Sequence, residues 1–198
     1  MNEWDKGQAG YLYDANYDKE IVEARLKCAD LCFEFNQCKP SDTNKQRDIL
    51  ERIFNQVNKN ITITAPFYCD YGFNIAIGEN FYTNHNCTIL DAAKVTIGDN
   101  VFIAPNCVIT TASHPIDKKQ RQQGLEFAAP ITIGNDVWIG ANVTILPGVT
   151  IGDGTIIGAG SVVNQDMPSN VIGVGTPCKV MRNITDEDKY KYPLWMEQ

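Results

Sequence analysis

Among 198 residues there are only two histidines, and one of them stands where it could do chemistry. His114 lies in Thr111-Ala112-Ser113-His114-Pro115-Ile116-Asp117, at the head of a polar, charged stretch that runs to Pro130. A neutral imidazole titrates near physiological pH, so it can take a proton from an attacking hydroxyl and return it to a leaving group. Seven cysteines, at 28, 32, 38, 69, 87, 107 and 178, offer a second chemistry, thiolate attack or metal ligation. Their number is odd, and no pair has the CxxC spacing. Cys28 and Cys32, four apart, fall on one face of a helix. Buried, reduced thiols are therefore expected. With so few histidines a zinc site is not expected, and no metal is assigned. His85 is expected to be an ordinary outward-facing residue.

Charge narrows the partners. Asp+Glu 24 against Lys+Arg 17 gives a net charge of −7, the wrong sign for a nucleic-acid surface. The chain opens Met1-Asn2-Glu3-Trp4-Asp5 without an apolar run, and no stretch is long and apolar enough to cross a membrane. A cytoplasmic protein, with no nucleic-acid or membrane partner, is the expectation.

A loop histidine acts only if something rigid holds the loop. From about residue 61, Ile and Val recur every sixth residue. Ile133, Ile139, Ile145, Ile151, Ile157 and Val163 form one unbroken ladder. Ile97, Ile103 and Ile109 form another, and Ile77 leads through Thr83 to Ile89. After most ladder residues comes a small one (Gly78, Gly98, Ala104, Gly134, Gly140, Gly152, Gly158). Four positions after comes a small or β-branched one (Val101, Cys107, Val137, Val143, Val149, Thr155, Ser161). Simple strand alternation would not place a glycine in every unit. The repeat predicts an all-β solenoid in which each hexad forms one flat side and three hexads one triangular coil. Cys107 then points inward, which argues against a cysteine nucleophile. Trp138, at the sixth position of its hexad, either walls a cleft or covers a coil face.

Two interruptions stand out. The step from Ile89 to Ile97 is eight, read as a bulge at Asp91-Ala92-Ala93, and between Ile109 and Ile131 the repeat is lost to a loop over 112–130. Residues 1–60 are predicted helical, with stripes of Val22, Leu26, Ala29 and Phe33 and of Ile49, Ile53, Phe54 and Val57. Pro40-Ser41-Asp42 separates them, with Ser41 or Asp42 as N-cap. The solenoid is expected over 61–183, and 184–198 as a C-terminal helix or tail opened by Thr185, three residues before Asp188.

The hexads, the Thr-Ala-Ser-His-Pro-Ile-Asp start of the loop, the run from Ile131 to Gly152 and the ending Gly173-Val-Gly-Thr-Pro-Cys-Lys-Val-Met-Arg182 resemble the maltose/galactoside O-acetyltransferases, which are hexapeptide-repeat acyltransferases. The resemblance extends to Tyr11–Ile21 and Arg25–Asn36. It implies a left-handed parallel β-helix with an N-terminal helical segment, assembled as a homotrimer, that transfers acetyl from acetyl-CoA to a sugar hydroxyl. By the same resemblance His114 is the catalytic base. Asn84 belongs to the acetyl-CoA site, with Tyr82 lining the same cleft, and Asp18, Asp70 and Glu126 lie on the acceptor side. Ala141, Ala159, Lys179 and Arg182 follow the CoA groove, the two cations facing its phosphates, and Trp138, from its place in the hexad, is set beside them as a cofactor-binding candidate. The family's usual Thr-Lys is Asn164-Gln165 here, which removes one cation from the phosphate end. Ala92 replaces an aspartate of the galactoside enzymes, and Glu126 follows the maltose-type pattern. The implied acceptor is a glucose-type sugar. The alternative is a solenoid that has lost catalysis or been specialised differently.

Such a transfer needs no covalent intermediate. The hydroxyl attacks the thioester as the imidazole accepts its proton, and the imidazolium returns a proton to the thiolate. Backbone N–H groups around Gly140-Ala141 are candidates to hold the oxyanion. Counting hexads puts Asn84 and His114 at different corners of the triangle, up to one side of about 20 Å apart at 3.3 Å per residue. Groups serving one thioester must lie far closer, so the site is expected to be shared between threefold-related chains. Co-refolding inactive His114→Ala chains with inactive Asn84→Ala chains should restore part of the activity. Confirmed mixed trimers without activity would place each site within one chain.

Overall fold

The computed structural model describes residues 1–54, 57–58 and 60–192. Every ladder residue from Ile97 to Val163 is buried, and so is each of the smaller residues named four positions on. They fill the inside of a left-handed parallel β-helix with three flat faces. The first face stacks Ile61–Ile63, Phe81–Thr83, Phe102–Ile103, Trp138–Ile139, Ile156–Ile157 and Val171–Val174, and ends in the antiparallel strand Lys179–Asn183. The second stacks Phe67–Cys69, Cys87–Leu90, Val108–Thr110, Thr144–Ile145 and Val162–Val163, and the third Ile75–Ile77, Val95–Ile97, Ile131–Ile133 and Thr150–Ile151.

The corners explain the rest of the hexad. The third residue after most ladder residues turns left-handed: Asn80, Asn86, Asn100, Asn106, Asp136 and Asn142, with φ of 54–62°, and then Gly148, Gly154 and Gly160. Asn and Asp tolerate that region better than other side-chain-bearing residues. They also bond coil to coil, as Asn80 Nδ2 donates to Asn100 Oδ1 at 2.9 Å and Asn100 Nδ2 to Asp136 Oδ1 at 2.9 Å. The glycine after the ladder residue answers a steric demand. A Cβ on Gly98 would lie 2.8 Å from the Gly134 carbonyl carbon of the next coil.

Coil length is not uniform. Trp138 pairs with Ile156, eighteen residues on, but Tyr82 pairs with Phe102, twenty on. The extra residues always fall at the corner between the second and third faces. The expected bulge after Leu90 is there, a similar excursion over Asp70–Asn74 lies one coil below it, and the long loop lies one coil above. Hydrogen bonds lock this stack. Asp91 is fully buried, and its Oδ1 accepts the backbone N–H groups of Asp70 and Tyr71 at 3.0 and 2.9 Å. Thr111 Oγ1 donates to the Leu90 carbonyl and accepts from the Ala93 N–H.

Helices cover one end of the solenoid. Helices α1 (Glu3–Gln8), α2 (Lys19–Asn36) and α3 (Thr43–Ile53) precede it; Ile49, Ile53 and Phe54 join its core as expected, Val57 packs against it, and Leu50 joins as well. Asp42 caps α3 by accepting from the Lys45 N–H. The stripe predicted for α2 is the wrong one. Ile21, Cys28, Leu31, Cys32 and Phe35 face inward, while Val22, Leu26 and Phe33 are 40%, 63% and 68% exposed. Both sets obey helical spacing, and α2 meets the solenoid through the face that carries the cysteines. All seven cysteines are buried and free. At the other end Thr185 opens a 3₁₀ helix over Asp186–Tyr190 rather than an α-helix, and its N–H donates to Asp188 Oδ2. The remainder of that expected helix lies outside the described residues. Among the described residues no helix is long and apolar enough to cross a membrane.

Asp91→Ala orphans two buried backbone donors and should destabilise the chain by about 3 kcal/mol in urea unfolding. Burial pushes the Asp91 carboxyl up to about 6, opposed by the Tyr71 N–H and reinforced by Asp70. The folded state therefore holds this proton more tightly than the unfolded state. The stability that follows is full below about pH 4 and is lost as pH rises through 6. The stability of wild type relative to Asp91→Asn should accordingly fall by about 2–3 kcal/mol between pH 4 and 7.

Candidate active site

The long loop is an ordered hairpin tied to the N-terminus. Ala112–Ser113 pairs antiparallel with Leu125–Ala128, which pairs in turn with Tyr13–Asp14. Between the loop's two strands, Asp117 caps the short helix α4 (Lys118–Gln122), and Arg121 Nη1 donates to the carbonyls of Pro115 and Ile116. His114 follows the first strand of this hairpin and is exposed to solvent. Its Nδ1 lies 3.4 Å from the Leu125 carbonyl oxygen. A carbonyl accepts only, so this contact selects the tautomer with the proton on Nδ1 and leaves Nε2 as the basic nitrogen.

The acceptor-side residues expected from the sequence divide. Glu126 sits beside Leu125 in the hairpin, where Tyr13 Oη donates to its Oε2 at 3.4 Å and Asn16 Nδ2 to its Oε1 at 3.5 Å. Asp70, held by Asp91 through its backbone, is close enough to Glu126 and Arg25 to feel both. Burial raises its pKa, Arg25 opposes the rise and Glu126 adds to it. Burial likewise raises Tyr13 and Tyr71, so both phenols stay protonated. Asp18 is placed differently, with its carboxylate taken up as the N-cap of α2, accepting from the Ile21 N–H at 3.1 Å. Asp14 is the aspartate opposite the hairpin, in register with Leu125. Its Oδ1 accepts from the Asn16 and Tyr17 N–H groups.

Three residues around Asp70 and Glu126 were missed in the sequence: Tyr13, Arg25 and Tyr71. Arg25 left a signal, since it lies between Ile21 and Cys28 at spacings of four and three and thus interrupts the buried face of α2 with a charge. Its guanidinium donates to the Ala15 carbonyl. Tyr71 belongs to the first excursion of the stacked corner. That excursion is visible in the sequence only once the step from Cys69 to Ile77 is recognised as eight.

The expected CoA-side residues gather elsewhere, at the corner between the first and second faces. Asn84 follows Phe81–Thr83, and its Oδ1 accepts from the His85 N–H. Ala141 and Ala159 occupy the same corner in successive coils, where the Gly160 N–H donates to the Ala141 carbonyl. Beside this corner, Tyr82, Phe102 and Trp138 form an outward column on the first face, Trp138 and Phe102 about half exposed. Lys179 and Arg182 lie in the strand that closes that face. Arg182 is engaged by a bidentate pair with Asp188 at 2.6 and 2.8 Å, while Lys179 is exposed. His85 Nδ1 hydrogen-bonds the Ala65 carbonyl, as befits a surface residue. Cys107 is sealed inside, its Sγ 3.1 Å from the Ala104 and Gly140 carbonyl oxygens. The residues expected on the acceptor side and those expected on the CoA side therefore occupy adjacent corners of one chain, with the second face between them.

Comparison with known proteins agrees with the fold. Residues 6–58 match the family described as "Maltose acetyltransferase hexapeptide capping motif", and residues 130–165 match "Bacterial transferase hexapeptide (six repeats)". The Saccharomyces cerevisiae protein named "Putative acetyltransferase YJL218W" is 54% identical over 90% of this chain and 91% of its own length. A maltose O-acetyltransferase from Clostridium difficile 630 superposes with a TM-score of 0.91 at 46% identity, over 94% of this chain and 99% of that one. A galactoside acetyltransferase solved in complex with coenzyme A superposes with a TM-score of 0.93 at 44% identity, over 100% and 99% of the two chains. Carrying both the capping segment and the hexapeptide solenoid, and matching these proteins over nearly its whole length, the chain belongs to the maltose/galactoside O-acetyltransferase family of hexapeptide-repeat acetyltransferases.

Proposed function

We propose that this protein transfers acetyl from acetyl-CoA to a hydroxyl of a glucose-type sugar, with His114 as general base. The observation that carries the proposal is the His114–Leu125 contact. It orients the imidazole through Nδ1, leaving Nε2 to accept a proton, on the same hairpin that presents Glu126 to Asp70. A cup lined by carboxylates, a guanidinium and phenols supplies the acceptors and donors that a polyhydroxyl compound needs. As the sugar oxygen bonds to the acetyl carbon, its proton passes to Nε2. The tetrahedral intermediate then collapses, the C–S bond breaks, and the imidazolium protonates the departing thiolate. Of the donor pair suggested for the oxyanion, the Gly140 N–H is committed to the Ile157 carbonyl, which leaves Ala141.

The coenzyme A complex of the galactoside acetyltransferase supports the same ligand for the groove along Asn84, Ala141 and Ala159, with Trp138 at its side. Lys179, and Arg182 through its outer edge, supply positive charge toward the phosphates. Because that groove and the His114 cup occupy different corners of one chain, we assign the complete site to the interface between neighbouring chains of a homotrimer. The loop tip favours this arrangement. Ile116, two residues from His114, is 98% exposed in the single chain, and an apolar side chain at that place gains by being covered.

His114→Ala should lower kcat by about 10²–10⁴-fold with the melting temperature unchanged, in a CoA-release assay over a panel of sugars. Activity within threefold of wild type would remove His114 from the base role. Replacing Lys179 with alanine should raise the KM for acetyl-CoA while leaving the acceptor KM unchanged, and the Lys179→Ala/Arg182→Ala pair should raise it further. An unaltered acetyl-CoA KM in the double variant would return both cations to the solvated surface.

A further inference from the structure

The buried face of α2 carries Cys28 and Cys32 one turn apart, and it packs on the end of the strand Phe67–Cys69. Three thiols from two separate elements meet there. Cys69 Sγ lies 3.5 Å from Cys28 Sγ and 3.8 Å from Cys32 Sγ, and all three sulfurs fall within 4.8 Å of one another. A zinc–thiolate bond is about 2.3 Å, so two sulfurs in a tetrahedral zinc site are separated by about 3.8 Å, and in a trigonal thiolate site by about 4.0 Å. Two edges of the observed triangle lie within about 0.3 Å of the tetrahedral separation, and the third is no longer than 4.8 Å.

We propose that Cys28, Cys32 and Cys69 form a three-thiolate site for a thiophilic d¹⁰ cation, Zn(II) in particular, which staples α2 to the first coil of the solenoid. The site is reachable. A cavity of about 250 Å³ between α2, α3 and the stacked corner is lined by Cys28 together with Lys27, Arg52 and Tyr71, and it gives room for a water as fourth ligand. Three thiolates and one divalent ion leave a net negative charge, which Lys27 at the cavity wall suits, while Arg52 there pairs with Glu34 at 2.9 Å. Each thiol releases its proton to solvent as its sulfur binds, and no oxidant or reductant takes part. The staple falls where it matters for the cup, since Cys69 precedes Asp70 and Arg25 lies one helical turn from Cys28. It rests on the sulfur geometry and not on the acetyl-transfer reading.

The test is titration of the reduced, chelator-treated protein with Co(II) or Cd(II). Thiolate-to-metal charge-transfer absorption should saturate at one ion per chain and be displaced by Zn(II). Cys28→Ser and Cys32→Ser should each lose the tight stoichiometric phase, whereas Cys178→Ser, outside the cluster, should keep it. Zn(II) at about 100-fold above its Kd should raise the wild-type melting temperature by roughly 5–10 °C, and this shift should vanish in Cys32→Ser. Circular dichroism checks that the variants fold. If they do not, differential alkylation of wild type decides, because ion loading should slow modification of Cys28, Cys32 and Cys69 and leave Cys107 and Cys178 unchanged. No charge-transfer band in the reduced wild type overturns the proposal, as does a stoichiometric band that survives both serine variants. A wild type isolated with two of these thiols joined as a disulfide, and taking up no ion after reduction, overturns it in favour of a redox pair.

Discussion

Adjacent coils hydrogen-bond along all three faces, so their backbones are held about 4.8 Å apart throughout the solenoid. Most of the local sequence answers to that spacing. A residue directly over its counterpart in the next coil has no room for a Cβ at the glycine position, and each corner must turn within a few residues, which calls for left-handed Asn, Asp or Gly. The inward positions are filled by one large aliphatic and one smaller residue per side, so that each coil seats on the last. Where a small inward residue is polar, it bonds locally. Thr155 Oγ1 donates to the Pro168 carbonyl and Ser161 Oγ to the Gly158 carbonyl.

A structure so tightly repeated has few places to hold a site. The chain can leave the coil only at a corner, and it does so at one corner in three consecutive coils. Excursions stacked in this way could leave buried polar backbone without partners. Asp91 and Thr111 prevent that by spending their side chains on the N–H and carbonyl groups of the neighbouring excursions. The groups that form this corner's scaffold lie directly beneath the hairpin that holds His114 and Glu126.

The N-terminal segment has two tasks that its sequence superimposes. As a cap it covers the open end of the solenoid through Phe35, Ile49, Ile53 and Phe54. Beside the stacked corner it contributes Tyr13 and Arg25 to the surroundings of Asp70 and Glu126. The second task explains why α2 carries a charge on its inward face and why the strand Tyr13–Asp14 extends the loop hairpin. Tyr13, Ala15, Ile21, Tyr71, Ala92, Ala93 and Ala128 form a small separate core that joins segment, corner and loop.

The repeat made the solenoid, its inward residues and the exit point of the loop legible, because a period of six is a local property repeated many times over. His114 stands out for a similar reason, as a histidine opening the one long break in that period. The helical segment was read less well. Spacing alone allowed two stripes on α2, and the choice between Val22-Leu26-Phe33 and Ile21-Cys28-Leu31-Cys32-Phe35 was made by the surface it packs on. The carboxylates of Asp18 and Asp14 are both taken up locally, by the Ile21 N–H and by the Asn16 and Tyr17 N–H groups, which their residue types alone did not reveal. The meeting of Cys69 with Cys28 and Cys32, and of Asp70 with Arg25 and Glu126, joins residues about forty to a hundred positions apart. Such contacts are fixed by how separate elements pack, and no local pattern in the chain encodes them.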